Sequence, residues 1–230
     1  MGIELVVFDL AGTTVKDNKD VHRVLQKALA KHDVEVSIED ANAVMGIPKP
    51  VAILELLQKK YKGTHAIIKE WIDEIHHDFV QEMIHFYKTD PSVGEKEDVS
   101  ETFRKLKEGK LKVFVDTGFN RSITDPLLDR LGWRKQNLID GSVTSDEVSQ
   151  GRPFPDLIFK AMELAGVEDV KNVAKVGDTA SDLQEGTSAG CGLVIGITTG
   201  AFSKAELYKE KHTHLVENIR QAFEVIRQGS

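Results

Sequence analysis

Residues Leu5 to Phe8 are uniformly apolar, and the run stops at one carboxylate, Asp9, with Gly12-Thr13-Thr14 just beyond it. A short apolar run closed by a glycine turn predicts a buried strand. In an open α/β sheet, ligands bind beyond the carboxyl ends of the strands, which puts Asp9 at the mouth of a site. Taken alone, an aspartate here is equally well explained as a turn cap. The rest of the chain decides between the two.

After Thr14 a polar stretch, Lys16 to Asp20, precedes Val21, Val24, Leu25, Ala28 and Leu29, which recur at helical spacing up to about His32. Ser37-Ile38-Glu39-Asp40 reads as a cap starting a helix that ends at Met45-Gly46. Pro48 and Pro50 flank Lys49, and a helix follows through Ile53, Leu56 and Leu57. A longer helical pattern covers about His65 to Tyr87, so residues 16–90 form a block of helices. Asp90 to Gly94 reads as a linker. The rhythm then alternates. Helices are expected at Val99 to Glu108, Ser122 to Leu131, Phe154 to Ala165, Asp182 to Ala189 and Val216 to Arg227. Strands are expected at Lys112 to Val115, Leu138 to Val143, Val173 to Val176 and Leu193 to Ile197. Such alternation predicts an α/β fold with a Rossmann-like parallel sheet, interrupted after its first strand by an all-helical insertion. The expected division is a core of residues 1–15 and 91–230 with a cap of residues 16–90. At 230 residues the chain has room for this arrangement but not for two full domains.

Composition narrows the partners. A net charge of −7 argues against nucleic acid or an anionic membrane surface. No apolar run is long enough to span a bilayer. No basic segment followed by a long apolar one precedes the first strand, so a cytoplasmic setting is expected. The single cysteine, Cys191, lies in an apolar stretch and is expected to be simply buried.

Three predicted strands end in small or acidic residues, at Asp9, at Thr117-Gly118 and at Gly177-Asp178, and parallel strands put those ends on one side. Asp178 and Asp182, four apart, share a face if their turn opens a helix. Carboxylates this close repel unless a cation sits among them. Mg²⁺ accepts carboxylates together with substrate phosphate oxygens. Thr117 and the amides from Gly118 onward suit a phosphate at a helix start. Arg152, in a loop before a helix, suits bidentate contact with a phosphate or phosphonate, although a lone loop arginine is usually a solvated charge. The set predicts attack of Asp9 on phosphorus, an aspartyl phosphate, and its hydrolysis.

With these residues in view, the chain resembles the haloacid dehalogenase superfamily. Asp9-Leu10-Ala11-Gly12-Thr13-Thr14 is similar to its first motif, Thr117-Gly118 to its second, Arg152 to its third and Gly177 to Asp182 to its fourth. The helical block matches the place of that superfamily's inserted cap. Most of its phosphatases carry an acid where this chain has Ala11. The phosphonoacetaldehyde hydrolase (phosphonatase-like) branch has alanine there, with a cap lysine just after a Met-Gly pair, as in Met45-Gly46-Ile47-Pro48-Lys49. The resemblance implies catalytic roles for Asp9, Lys49, Thr117 and Arg152. It implies substrate contacts at Ala11, Gly12, Met45, Gly46, Gly118 and Phe119. The metal set it implies is Asp9, Ala11, Asp178 and Asp182, holding Mg²⁺. A small phosphonate or phosphate is the implied substrate, and Lys49 would form a Schiff base that stabilises the departing carbon. Two departures stand out: Ala52 where the branch has histidine, and Phe119 where it has tyrosine. The alternative is an ordinary small-metabolite phosphatase in which Lys49 only contacts substrate. Trp71, Ile72, Ile75 and Phe79 form either a homodimer face, since cap helices of relatives often pair, or cap core, the reading preferred.

Overall fold

The computed structural model describes residues 2–64 and 66–229. The apolar run becomes β1 (Leu5–Asp9), every residue of which is buried, because it lies between two other strands with helices on both faces. Its neighbours are β2 (Lys112–Thr117) and β4 (Val173–Gly177); beyond them lie β3 (Gly141–Thr144) on one side, and β5 (Leu193–Ile197) and β6 (His214–Val216) on the other. All pairs are parallel, in the order β3-β2-β1-β4-β5-β6. The order reverses direction between β1 and β4, and in such sheets the ligand crevice opens there, beyond the carboxyl ends. Register puts Asp9 beside Asp116 and Phe8 beside Val176, so the polar ends meet at that crevice.

Side-chain alternation divides the core into two layers. Val6 and Phe8 face one side, with Val113, Val115 and Val176, while Leu5 and Val7 face the other, with Phe114 and Val173. The first layer is covered by α5 (Val99–Glu108), α6 (Arg121–Leu131) and α10 (Ile219–Gln228), and the second by α7 (Asp156–Ala165), α8 (Ala180–Ala189) and the short α9 (Lys204–Leu207). Between β1 and α5 the chain runs as α1 (Asp20–Ala30), α2 (Ile38–Asn42), α3 (Lys49–Lys60) and α4 (Lys69–Thr89). α1 buries Val21, Leu25, Ala28 and Leu29, the stripe its spacing predicts. Ser37 and Asp40 cap α2 reciprocally, each side chain accepting from the other's amide, at 3.1 and 3.2 Å. α3 opens on Lys49 with Pro50 next, where a missing N–H costs no helical bond. Ile75 and Phe79 are fully buried within this one chain, as the cap-core reading expects. Cys191 is buried, as expected. Among the described residues no helix is long and apolar enough to cross a membrane.

Several boundaries differ from expectation. The helix expected to end at Met45-Gly46 stops at Asn42, and residues 43–46 turn instead, bringing Gly46 to its φ of +84°. The strand expected at Leu138 to Val143 is β3, starting at Gly141. Leu138 and Ile139 are buried in a turn that donates from the Leu138 amide to the Trp133 carbonyl, so their apolar character reports loop burial. The helix expected from Val216 starts at Ile219, where Asn218 caps it by accepting from the Gln221 amide at 3.0 Å. Val216 instead belongs to β6, a three-residue edge strand too short to show a period. The long helix expected from about His65 begins at Lys69; His65 lies outside the described residues.

Phe103 fastens α5 to the sheet within the first layer, its ring centre 5.1 Å from Phe8 and 5.2 Å from Trp133. Phe103→Ala is expected to cost about 3–5 kcal/mol in urea unfolding. A loss below about 1 kcal/mol would show that this aromatic stack does not hold α5 to the sheet.

Candidate active site

The loop after β1 folds back on itself. The Leu10 carbonyl accepts from the amides of Thr13, Thr14 and Val15, at 3.3, 2.9 and 2.8 Å. Gly12 makes this possible with φ of +90°, and any Cβ there would strike the Asp178 carboxylate. Thr13 donates its hydroxyl to Asp178 at 2.8 Å, and Thr14 donates to the Asp9 carbonyl at 2.8 Å. Residues 165 apart in sequence are thereby joined across the crevice.

Behind Asp9 lies a buried charge cluster. Arg152 is 2 % exposed, so it is not a solvated loop charge. Its Nη1 donates to Asp9 at 2.6 Å and pairs with Asp182 at 2.9 Å; Nε donates to Glu185 at 3.0 Å, and Nη2 donates to Asp116. Lys175, fully buried in β4, donates to both oxygens of Asp116 at 2.5 and 2.6 Å and pairs with Glu185 at 2.8 Å. Burial and Arg152 both disfavour the Lys175 charge, but Asp116, Glu185 and Asp182 outweigh them and hold its pKa above the ordinary lysine value. Burial pushes Glu185 up to about 8, with the Asp116 charge adding to it. Burial works the same way on Asp116, but Arg152 and Lys175 overcome it and keep that carboxyl below its usual range.

The carboxylates outnumber these cations. Asp9, Asp116, Asp178, Asp182 and Glu185 are buried around Arg152 and Lys175. Two triads bring their oxygens within 4.8 Å of one another, Asp9-Asp178-Asp182 and Asp116-Asp182-Glu185. The second is closed by the Lys175 amine and the Arg152 guanidinium, whereas the first meets Arg152 only through Nη1, at Asp9 and Asp182, and its Asp178 is paired with neither cation, which leaves room for an added one there. Asp182 Oδ1 is buried and ion-paired with Arg152 at 2.9 Å and Lys175 at 3.3 Å without a hydrogen bond, while its Oδ2 accepts from the Thr179 amide at 3.1 Å. Burial, then the Asp182 charge, raise Asp178 to about 6 and Asp9 well above its ordinary value. Oxygen-only donors with excess negative charge fit a hard divalent cation. Ala11 has only a backbone carbonyl to offer.

From the helical insertion, the loop 45–48 sits on the crevice at points with no side chain. Gly46, with φ of +84°, packs against the hydroxyls of Thr179 and Ser181. A Cβ on Gly118 would come within 3.0 Å of the Gly46 and Ile47 carbonyls, and one on Gly151 would meet the Pro48 ring. This seating carries Lys49 inside, 4 % exposed, its Nζ 5.6 and 5.9 Å from the ring centres of Phe119 and Phe79. Its only hydrogen bond among the described residues is a long one to the Ile47 carbonyl, 3.5 Å. Burial lowers its pKa to about 8, against the pull of Asp9 and Asp17 and with help from Arg152. Asp9, Ala11, Met45, Gly46, Lys49, Thr117, Gly118, Phe119 and Arg152 line one cavity of about 30 Å³. Gly12, Asp178 and Asp182 lie behind that wall. Thr117 turns its hydroxyl inward as well, accepting from the Phe119 amide at 3.1 Å.

Sequence reasoning passed over Asp116, Lys175 and Glu185, and also Asp17, which lines the cavity. A lysine inside the run Val173-Ala174-Lys175-Val176 is the one mark that could have revealed the cluster, since an unpaired charge in a buried strand is untenable.

A family model described as haloacid dehalogenase-like hydrolase matches residues 3–190. The chain is 31% identical to the phosphonoacetaldehyde hydrolase of Bacillus cereus over 236 residues, covering 99% of this chain and 88% of that protein. It is 33% identical to the phosphonoacetaldehyde hydrolase of Bacillus mycoides, with the same coverage. Among solved structures, a phosphonoacetaldehyde hydrolase-like protein from Oleispira antarctica shares the fold with a TM-score of 0.85 at 19% identity, covering 99% of this chain and 92% of that one.

Lys175→Met would strand Asp116 and Glu185 in the interior, and a loss of about 3–5 kcal/mol in denaturant unfolding is expected. An unchanged midpoint would mean that Arg152 alone balances those carboxylates.

Proposed function

The chain belongs to the haloacid dehalogenase-like hydrolases, and from that premise we propose that it cleaves the carbon–phosphorus bond of phosphonoacetaldehyde or a closely similar aldehyde phosphonate. The observation that carries this reading is the buried Lys49 amine, lowered to about 8, in the same cavity as the Asp9 carboxylate. Residues 1–15 and 91–230 act as the catalytic core in this reading, and residues 16–90 as the cap that delivers Lys49.

A carbon leaving group needs somewhere to put its electron pair. Neutral Lys49 attacks the aldehyde carbon and water leaves, giving an iminium. Asp9 then attacks phosphorus, the C–P bond breaks, and its electrons enter the iminium to form an enamine. An acid at position 11, suited to protonating an oxygen leaving group, has no part in this step, which accounts for Ala11. Arg152 holds one Asp9 oxygen and leaves the other for attack. Thr117 and the Gly118 amide take the phosphoryl oxygens, and Met45 and Gly46 shape the wall that presents Lys49. Mg²⁺ held by Asp9, Asp178, Asp182 and the Ala11 carbonyl would neutralise charge between nucleophile and phosphoryl group. Water finally hydrolyses the aspartyl phosphate.

The cavity holds about a water or two, so substrate enters with the cap raised and reacts with it lowered. A second reading, hydrolysis of a small phosphate ester, draws on Phe119, which lines the cavity beside Lys49 without a phenol, and on Ala52, buried one turn along α3 without an imidazole.

Purified protein with Mg²⁺ is expected to release phosphate from phosphonoacetaldehyde, with Asp9→Ala inactive and Lys49→Arg slowed by about a thousandfold or more. Borohydride trapping should label Lys49, the yield rising as pH passes through about 8, because the neutral amine is the nucleophile. Undiminished turnover by Lys49→Arg would sink the imine and favour the phosphate ester.

A further inference from the structure

We propose that Asp17 is the proton donor and acceptor of this site, positioned by His22; the proposal rests on the carbon–phosphorus cleavage reading above. That reaction needs an acid and then a base. The enamine carbon must gain a proton, and the water that hydrolyses the resulting iminium must lose one. Neither Ala11, Ala52 nor Phe119 can supply or accept it.

Asp17 lines the cavity that also holds Lys49 and Asp9. Its Oδ1 accepts from the amides of Asp20 and Val21 at 2.7 and 3.3 Å, capping the start of α1, which leaves Oδ2 for other work. Oδ2 lies 4.0 Å from Nδ1 of His22, whose side chain is 1 % exposed. The other ring nitrogen, Nε2, meets Asn42 Oδ1 at 2.9 Å. With Nε2 donating to that oxygen, Nδ1 carries a lone pair. It is buried and has no hydrogen-bond partner. A protonated carboxyl is the group that suits such an acceptor. Burial favours the neutral form of both: it raises Asp17 and lowers His22 from their ordinary values. The charged and titratable groups around the pair are Asp20 and Lys19 at the start of α1, the buried Tyr87 phenol of α4, Lys96 ahead of α5 and, from the cavity side, Lys49 with Asp9 and Arg152 beyond it.

The step balances. When the C–P bond breaks, its electron pair resides in the enamine. The Asp17 hydroxyl gives its proton to the terminal carbon, forming the methyl group and an iminium, and Asp17 becomes a carboxylate. Water adds to the iminium carbon while Asp17 takes back a proton, and the carbinolamine collapses to acetaldehyde and free Lys49. His22 touches no reacting atom and is a positioning residue.

Asp17→Asn separates this role from capping, because a carboxamide oxygen caps a helix as well as a carboxylate does. With phosphonoacetaldehyde and Mg²⁺, kcat is expected to fall about 10²–10³-fold. The stalled species is then the enamine, which hydride does not reduce, so direct borohydride trapping should give less N-ethyl-Lys49 than in the wild type, while an acid quench followed by cyanoborohydride, which protonates the enamine to the reducible iminium, should give more. His22→Asn should retain measurable turnover but displace the alkaline limb of the kcat–pH profile, where the Asp17 proton is lost, and Asp17→Asn should abolish that limb. Wild-type kcat and an intact limb in Asp17→Asn would overturn the proposal while leaving carbon–phosphorus cleavage standing. A fall in kcat with no extra N-ethyl-Lys49 recovered after the acid quench would also overturn it, assigning Asp17 to the cap alone. Wild-type protein that releases no phosphate from this substrate would overturn both readings together.

Discussion

One buried guanidinium ties the molecule together. Arg152 bonds or pairs with Asp9 at the end of β1, Asp116 in β2, and Asp182 and Glu185 in α8. A charge buried this deeply is tolerable only when its partners are in place. The strands bearing those partners must therefore be in register before the loop carrying Arg152 can close over them. Lys175 repeats the arrangement from β4, so the sheet's central strands are joined by charge at the point where their hydrogen-bonded ladder ends. The same cluster fixes one oxygen of Asp9 and, through its surplus of carboxylates, favours a cation beside it.

Much of this was legible in the residues. Asp9, Thr117, Asp178 and Asp182 fall where apolar runs end, and a parallel sheet must bring such ends together. Arg152 was legible as a charge in a loop but not as a buried one, because its partners come from three separate segments. Asp116 and Lys175 were hidden for a related reason. They lie 59 residues apart, and each looks like an interruption of its own strand until the register pairs β1 with both β2 and β4. β6 and the start of β3 were lost to length: three or four residues do not establish a period. The Lys49 position could be read only through resemblance, since a lysine between prolines is commonplace and its burial depends on glycines at 46, 118 and 151.

Phe119 and Ala52 show what apolar substitution does in such a cavity. Phe119 stacks 6.3 Å from Phe79 and 6.0 Å from Tyr87, closing a wall around the lysine amine with carbon. A wall of this kind strengthens every remaining charge interaction and leaves the amine without a strong acceptor.

The glycine seam at 46, 118 and 151 also ties the enclosure of Lys49 to the charge that lysine carries. Lys49 owes its lowered pKa first to burial, and that burial exists only while the seam is shut. In water a lysine binds its proton up to about pH 10.4. Between about pH 8 and that value, any opening of the seam would take up a proton and any closure would release it, so rising pH in this range would favour the shut form. There the amine would be neutral and nucleophilic when enclosed and protonated when exposed; below about pH 8 it would keep its proton in both, and enclosure would bury an ammonium beside carbon rings.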